Sequence, residues 1–152
     1  MERSRISKFR VFQWVLLALT LAFIWGHSCM PVEDSAAESG FVMELIRPFL
    51  EIFVGRGNVT DHLVRKIAHF VEFAALGAQF ELLRRGLNVK GAPRSLGPGF
   101  LCAFLDESIQ LLSDRGAMII DVWLDSCGVL FGILAAFALR KAARALRRKE
   151  RA

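Results

Sequence analysis

The chain has 152 residues, is 54% hydrophobic and carries a formal net charge of +5. Its apolar residues are gathered into long blocks instead of recurring at the period of a surface helix, which argues against an ordinary soluble domain. Three cysteines at irregular positions, Cys29, Cys102 and Cys127, fit neither a disulfide framework nor a zinc pattern and read as small packing residues.

Four blocks read as membrane spans: residues 11–27, 67–83, 96–112 and 118–139. A hydrocarbon core of ~30 Å needs about 20 helical residues, with a range of ~17–25, so the second and third blocks are short and polar for spans. Charge placement supports them. Arg3, Arg5, Lys8 and Arg10 precede the first block, and Arg84, Arg85, Lys90 and Arg94 lie between the second and third. Arg140, Lys141, Arg144, Arg147, Arg148, Lys149 and Arg151 follow the fourth. These regions hold 15 of the 20 basic residues and share one side of a membrane only if all four blocks cross it. The connection over residues 28–65 is acid-rich, with Glu33, Asp34, Glu38, Glu44, Glu51 and Asp61. By the positive-inside rule both termini are cytoplasmic and this connection is outside. Basic residues beside helix ends are each attracted to anionic lipid by about 1 kcal/mol, so the partners expected are membrane lipids and not nucleic acid.

The first block has the basic start and apolar core of a signal peptide. Trp25-Gly26-His27-Ser28 offers no small-x-small cleavage site, so an uncleaved helix is expected, anchored by Trp14 and Trp25. Pro31 stops it, and residues 33–40 form a polar loop. In residues 41–53, Glu44, Arg47 and Glu51 make a narrow polar stripe beside a broad apolar face. That suits a short helix in the outer interface, or one packed over the bundle, bent at Pro48. Gly55-Arg56-Gly57-Asn58 breaks the chain, and Thr60 or Asp61 caps the next helix.

The second span has a small-residue flank, Ala74, Ala75, Gly77 and Ala78, where another helix can approach. Gln79 and Glu81 near its cytoplasmic end are expected to reach the interface beside Arg84 or Arg85. Gly91, Pro93, Gly97 and Pro98 punctuate the following connection, and residues 113–117 form a tight outer turn. In the fourth span Asp121, Asp125, Gly128 and Gly132 fall on one stripe, so the carboxylates share the face that packs. The basic run after Leu139 reads as a solvated or interfacial helix extension. The fold expected is all-α: a single polytopic domain over residues 1–152, a four-helix transmembrane bundle plus a short outer interfacial helix.

Three spans carry ionisable groups into their apolar blocks. An ionised side chain at mid-bilayer costs ~2.5–3.5 kcal/mol on insertion scales, so such groups face a bundle interior or wet cavity and mark function. With a helical rise of ~1.5 Å per residue, Lys66, His69, Glu72, Asp106, Glu107, Gln110, Asp121 and Asp125 all fall in one outer layer, and Arg115 in the outer turn closes its rim. Gln110 lies one turn after Asp106 on the same face, and Glu107 is displaced by ~100°. Five carboxylates (Glu72, Asp106, Glu107, Asp121 and Asp125) meet two obvious cations, Lys66 and Arg115, with Arg65 or protonated His69 as additions. The remaining charge is left to protons, a divalent cation or a cationic group on a ligand.

Lys66-Ile67-Ala68-His69-Phe70-Val71-Glu72-Phe73, then Asp106-Glu107-Ser108-Ile109-Gln110, Arg115, Asp121, Asp125 and Gly128 resemble the VanZ-like family of small bacterial membrane proteins. Ser28 and Pro31 fit that family's usual end of the first span. Phe73 replaces the commoner tyrosine and Asp125 stands where asparagine is common, removing a hydroxyl and adding a carboxylate. The resemblance implies an envelope protein of the bacterial cytoplasmic membrane, in a family named after an accessory factor in glycopeptide-antibiotic resistance. It implies no reaction.

Three readings of the site follow from the residues. The first is a binding protein whose Lys66 and Arg115 hold phosphate while the inner carboxylates receive an amine or cation. Its ligand would be a lipid headgroup or a lipid-linked cell-wall precursor. The alternative is an enzyme on a lipid-linked substrate, with His69, Glu72, Asp106 and Glu107 as acid–base candidates and a metal between carboxylates. Ion or proton transport is weakened because the polar groups cluster in the outer half.

Overall fold

The computed structural model describes residues 2–30, 44–86, 93–113 and 118–149, and the regular structure among them is helical throughout. Five helices appear among the described residues: α1 (Glu2–Ser28), α2 (44–54), α3 (Asp61–Gly86), α4 (Pro93–Leu112) and α5 (Ile119–Lys149). Pro31, the polar loop after it and the Arg115 turn lie outside the described residues.

The helix ends follow local chemistry. Gly55 and Gly57 take φ of 86° and 80°, a left-handed region that glycine enters without penalty, and they turn the chain from α2 toward α3. Thr60 then caps α3, its hydroxyl accepting from the Leu63 N–H at 3.2 Å. Pro93 opens α4, where its missing N–H costs nothing. The expected break at Gly97 and Pro98 does not occur, because α4 runs straight through them. At Gly99 a Cβ would sit 2.4 Å from Cγ1 of Val129, so α4 lies directly against α5 at this point. α5 continues through the basic run to Lys149, exposed beyond Arg140 as expected of an extension.

The closest packing joins α3 to α5. A Cβ added at Gly132 would lie 1.8 Å from the Ala74 carbonyl oxygen, and one at Gly77 would lie 2.1 Å from that of Val129. Gly128 faces the Phe70 carbonyl in the same manner, at 2.6 Å. The small residues on both helices therefore form the seam that their spacing predicts. Phe73, Leu76, Val129 and Ile133 fill the space beside it, α4 adds Cys102 and Ala103, and α1 adds Leu17 and Ile24. Of the cysteines only Cys102 packs inside; Cys29 and Cys127 are exposed.

By length and composition two helical segments, Lys8–Ser28 and Ile119–Lys149, are apolar enough to cross a membrane. α3 and α4 fall short because each carries ionisable groups along its length. Their burial decides what that shortfall means. Asp106, Glu107 and Glu81 are turned into the bundle, while Phe100, Leu101, Phe104 and Leu105 are exposed on α4.

Candidate functional site

The α3–α5 seam brings His69 and Asp125 to the same level, one turn from the contact between Gly128 and Phe70. α4 supplies Asp106 from the third side. His69 Nδ1 lies 3.6 Å from Asp106 Oδ2 and 4.0 Å from Asp125 Oδ1. One ligating atom from each of the three residues can be chosen so that all lie within 4.8 Å of one another.

Asp106 is fully buried and held on both oxygens. The Ser28 hydroxyl at the end of α1 donates to Oδ1 at 2.7 Å, and Gln110 Nε2 donates to Oδ2 at 2.8 Å. The Gln110 contact is the one its helical spacing predicts. Asp125 is 1% exposed, yet neither of its oxygens has a hydrogen-bond partner. Glu107 is also buried, with Oε2 unpartnered. Its angular offset from Asp106 turns it toward the opening instead of away from the site.

A cavity of about 120 Å³ opens beside this cluster. Its lining includes His69, the buried acids Glu107 and Asp125, and the part-exposed Lys66 and Asp121, with Arg65 and Gln110 beside them. Lys66 Nζ donates to Asp121 Oδ1 at 2.5 Å, tying α3 to α5 across the mouth. Asp121 is thus a rim partner as well as an acid in the first turn of α5, where the helix dipole favours it.

Seven of the nine expected site residues come together here: Lys66, His69, Asp106, Glu107, Gln110, Asp121 and Asp125. Arg115 lies outside the described residues. Glu72 does not line this cavity. It faces a separate, mostly apolar groove between α1 and α3, with Leu19, Phe23, Ile24 and Val71, and its Oε2 is buried without a partner. Arg65, expected as an additional cation, lines the cavity, and Ser28 completes the site in a role that the sequence pattern left unassigned. Ser28 is a polar residue ending an apolar helix, a signal that marks a boundary but no partner.

A second polar cluster lies at the other end of α3. Glu81 is 1% exposed instead of reaching an interface. Arg84 and Arg85, one turn on, fold back to its carboxylate, and Ser95 on α4 donates at 3.1 Å. The Arg85 guanidinium also lies 5.5 Å from the Phe137 ring centroid. Gln79 likewise turns inward, donating to the Thr20 hydroxyl of α1 at 2.8 Å. Glu81 is met by three partners and Gln79 by one, its Oε1 remaining unmet, so the cluster reads as a clamp of α1, α3, α4 and α5.

Residues 12–140 match the VanZ/LLP1 family, and the chain belongs to it. The matched span includes all nine expected site residues. No curated protein and no solved structure matches the chain.

Proposed function

We propose that this chain is a four-span protein of the bacterial cytoplasmic membrane, with both termini cytoplasmic, whose outward-facing cavity binds a phosphate-bearing lipid headgroup or cell-wall precursor. Family membership and two apolar helices are consistent with a membrane protein linked to glycopeptide resistance. The further two spans are supported by helix length and by what is exposed. At ~1.5 Å per residue, the 26 residues of α3 and the 20 of α4 reach about 39 and 30 Å. Exposed Phe9, Phe12, Leu19, Phe23, Phe104, Phe131, Leu134 and Phe137 amount to more apolar surface than a soluble monomer leaves in water.

The cavity carries the ligand assignment. Arg65 and Lys66 line it as cations, Lys66 paired with the part-exposed Asp121, while the anionic Glu107 and Asp125 are buried. A zwitterion with phosphate outermost and an amine inward matches that order. Phosphatidylethanolamine has this form, as does a precursor joining a pyrophosphate to a peptide amine. The Lys66–Asp121 pair gates the mouth, since a phosphate would compete with Asp121 for the ammonium.

The test is native mass spectrometry of detergent-purified protein after exchange into phosphatidylethanolamine or into a polyprenyl-pyrophosphate disaccharide. Lys66→Gln and Asp106→Leu should each reduce the retained lipid at least ~10-fold, the cost of one charge-assisted contact. Asp106→Leu should still insert, because leucine partitions into the bilayer more readily than aspartate. Retention unchanged in both variants would reject the cavity as the binding site. One observation favours catalysis on the same ligand: His69 Nδ1 faces two carboxylates, an arrangement suited to acid–base work. Hydrolysis of the bound precursor's P–O–P bond to polyprenyl phosphate and a disaccharide 1-phosphate, lost in His69→Gln, would support it.

A further inference from the structure

Asp125 is the anomaly of the molecule. A carboxylate 1% exposed with both oxygens unpartnered forfeits its hydration and receives no hydrogen bond in return. Burial without a partner is unfavourable for such a group, and more so when it is ionised. Its neighbours are arranged to share a ligand with it. Asp106 is fixed by Ser28 on one oxygen and Gln110 on the other, which leaves each oxygen a further lone pair. Metal-ligating carboxylates are oriented by outer hydrogen bonds of this kind. His69 presents Nδ1 toward both acids.

The spacings fit a metal ion. Bonds of ~2.0–2.2 Å place two ligand atoms on one ion at most ~4.4 Å apart. The His69 separations of 3.6 and 4.0 Å lie within that limit. The 4.8 Å bound on the whole set asks for a closure of about 0.4 Å at most, which side-chain rotation supplies. Charge agrees. Asp106, Glu107, Asp121 and Asp125 surround the site, opposed by Arg65 and Lys66. Glu72 also acts on Asp125, so the acids outnumber these cations and a divalent ion would offset most of the excess.

We propose that His69, Asp106 and Asp125 bind a single divalent transition-metal ion of the zinc or manganese class. The imidazole nitrogen selects against magnesium and calcium, which prefer all-oxygen sites. Three protein ligands leave at least one position open, and the cavity lies on that side. Its 120 Å³ holds about four waters or a phosphate oxygen with its substituents. Metal binding does not require the lipid reading: an ion seated here would take the place that reading gives the ligand's amine, and the two are tested separately.

The experiment uses the full chain in detergent, stripped with EDTA and titrated with Zn²⁺ or Mn²⁺ alone. Calorimetry and elemental analysis should give one ion per chain. Asp125→Asn, nearly isosteric, and His69→Gln should each weaken binding at least ~100-fold, since loss of an outer partner alone costs ~10–100-fold. Glu51→Gln on α2 should bind as the parent does. Pulsed electron paramagnetic resonance of the Mn²⁺-loaded parent should detect an imidazole nitrogen, which keeps the test valid if a variant misfolds. Absent stoichiometric binding, unchanged affinity in both variants, or no nitrogen coupling would each overturn the proposal. Lipid retention that is undiminished by EDTA alongside failed metal binding would overturn this site and leave the lipid reading standing. Metal binding without lipid retention would do the reverse.

Discussion

Gly132→Ala isolates the α3–α5 seam that holds His69 and Asp125 together. In an ordinary helix the exchange is favourable by ~1 kcal/mol, because alanine loses less backbone freedom. Here the new Cβ would stand 1.8 Å from the Ala74 carbonyl oxygen and 2.9 Å from the Ala78 nitrogen. Both are backbone atoms in a rigid helix, so relief requires the helices to part by about 1.6 Å to reach ordinary contact. Overpacking costs ~1–3 kcal/mol, and a rigid backbone contact belongs at or above the upper end. After the propensity gain the net loss is about 2 kcal/mol, or roughly 4–8 °C in Tm for a chain of this size. The control is Gly26→Ala in α1, where no atom lies within 4 Å of the new Cβ, so stability should hold or rise. Thermal unfolding in detergent, followed by tryptophan fluorescence, compares the two. A Gly132→Ala variant as stable as the parent would refute the close approach. Equal loss in Gly26→Ala would show that the effect is not specific to the seam.

Two further outcomes follow from the helix order and the Asp106 contacts. Reporter fusions after Arg56 should signal outside and those after Lys90 and Ala152 inside; an outside signal at Lys90 would remove α3 as a span. Ser28→Ala leaves the buried Asp106 Oδ1 short of a donor at 2.7 Å, so it should cost ~1.5–3 kcal/mol in unfolding measurements, and an unchanged melting curve would reject that contact.

Much of this architecture was legible because helical period fixes a face. Ala74, Gly77, Gly128 and Gly132 mark where two backbones can meet, and Asp125 sits on the same stripe, so its burial followed. Asp106 and Gln110, one turn apart, met as their spacing required. What period cannot fix is which neighbour a face will meet. Glu72 lies one turn from His69, yet it faces the groove against α1 instead of the cavity. Ser28 reaches Asp106 across 78 positions of sequence, a contact set by how α1 leans on α4. Glu81 was placed at an interface by its distance along α3, whereas Arg84, Arg85 and Ser95 give it enough partners to be buried.

On the proposed four-span reading, the same limitation accounts for the shortfall of α3 and α4 in apolar character. Hydropathy averages every residue on a helix, but a bilayer meets only the outward ones. On α4 the ionisable pair Asp106 and Glu107 is turned inside, and the surface left exposed is Phe100, Leu101, Phe104 and Leu105. An ionised group costs ~2.5–3.5 kcal/mol against lipid, a cost reduced by partners within the protein. Glu81 has three such partners and Asp106 has two. Asp125 has none by hydrogen bond, and one oxygen of Glu107 is unmet as well. Two of the three incompletely satisfied acids, Asp125 and Glu107, line the cavity, and the third, Glu72, faces the groove against α1. An apolar residue at either cavity position would carry no such penalty, so these two acids are better accounted for by something that enters the cavity and meets them. A ligand bringing positive charge, whether ion or amine, recovers on binding what the fold leaves unmet, and its affinity should fall most when Asp125 is neutralised.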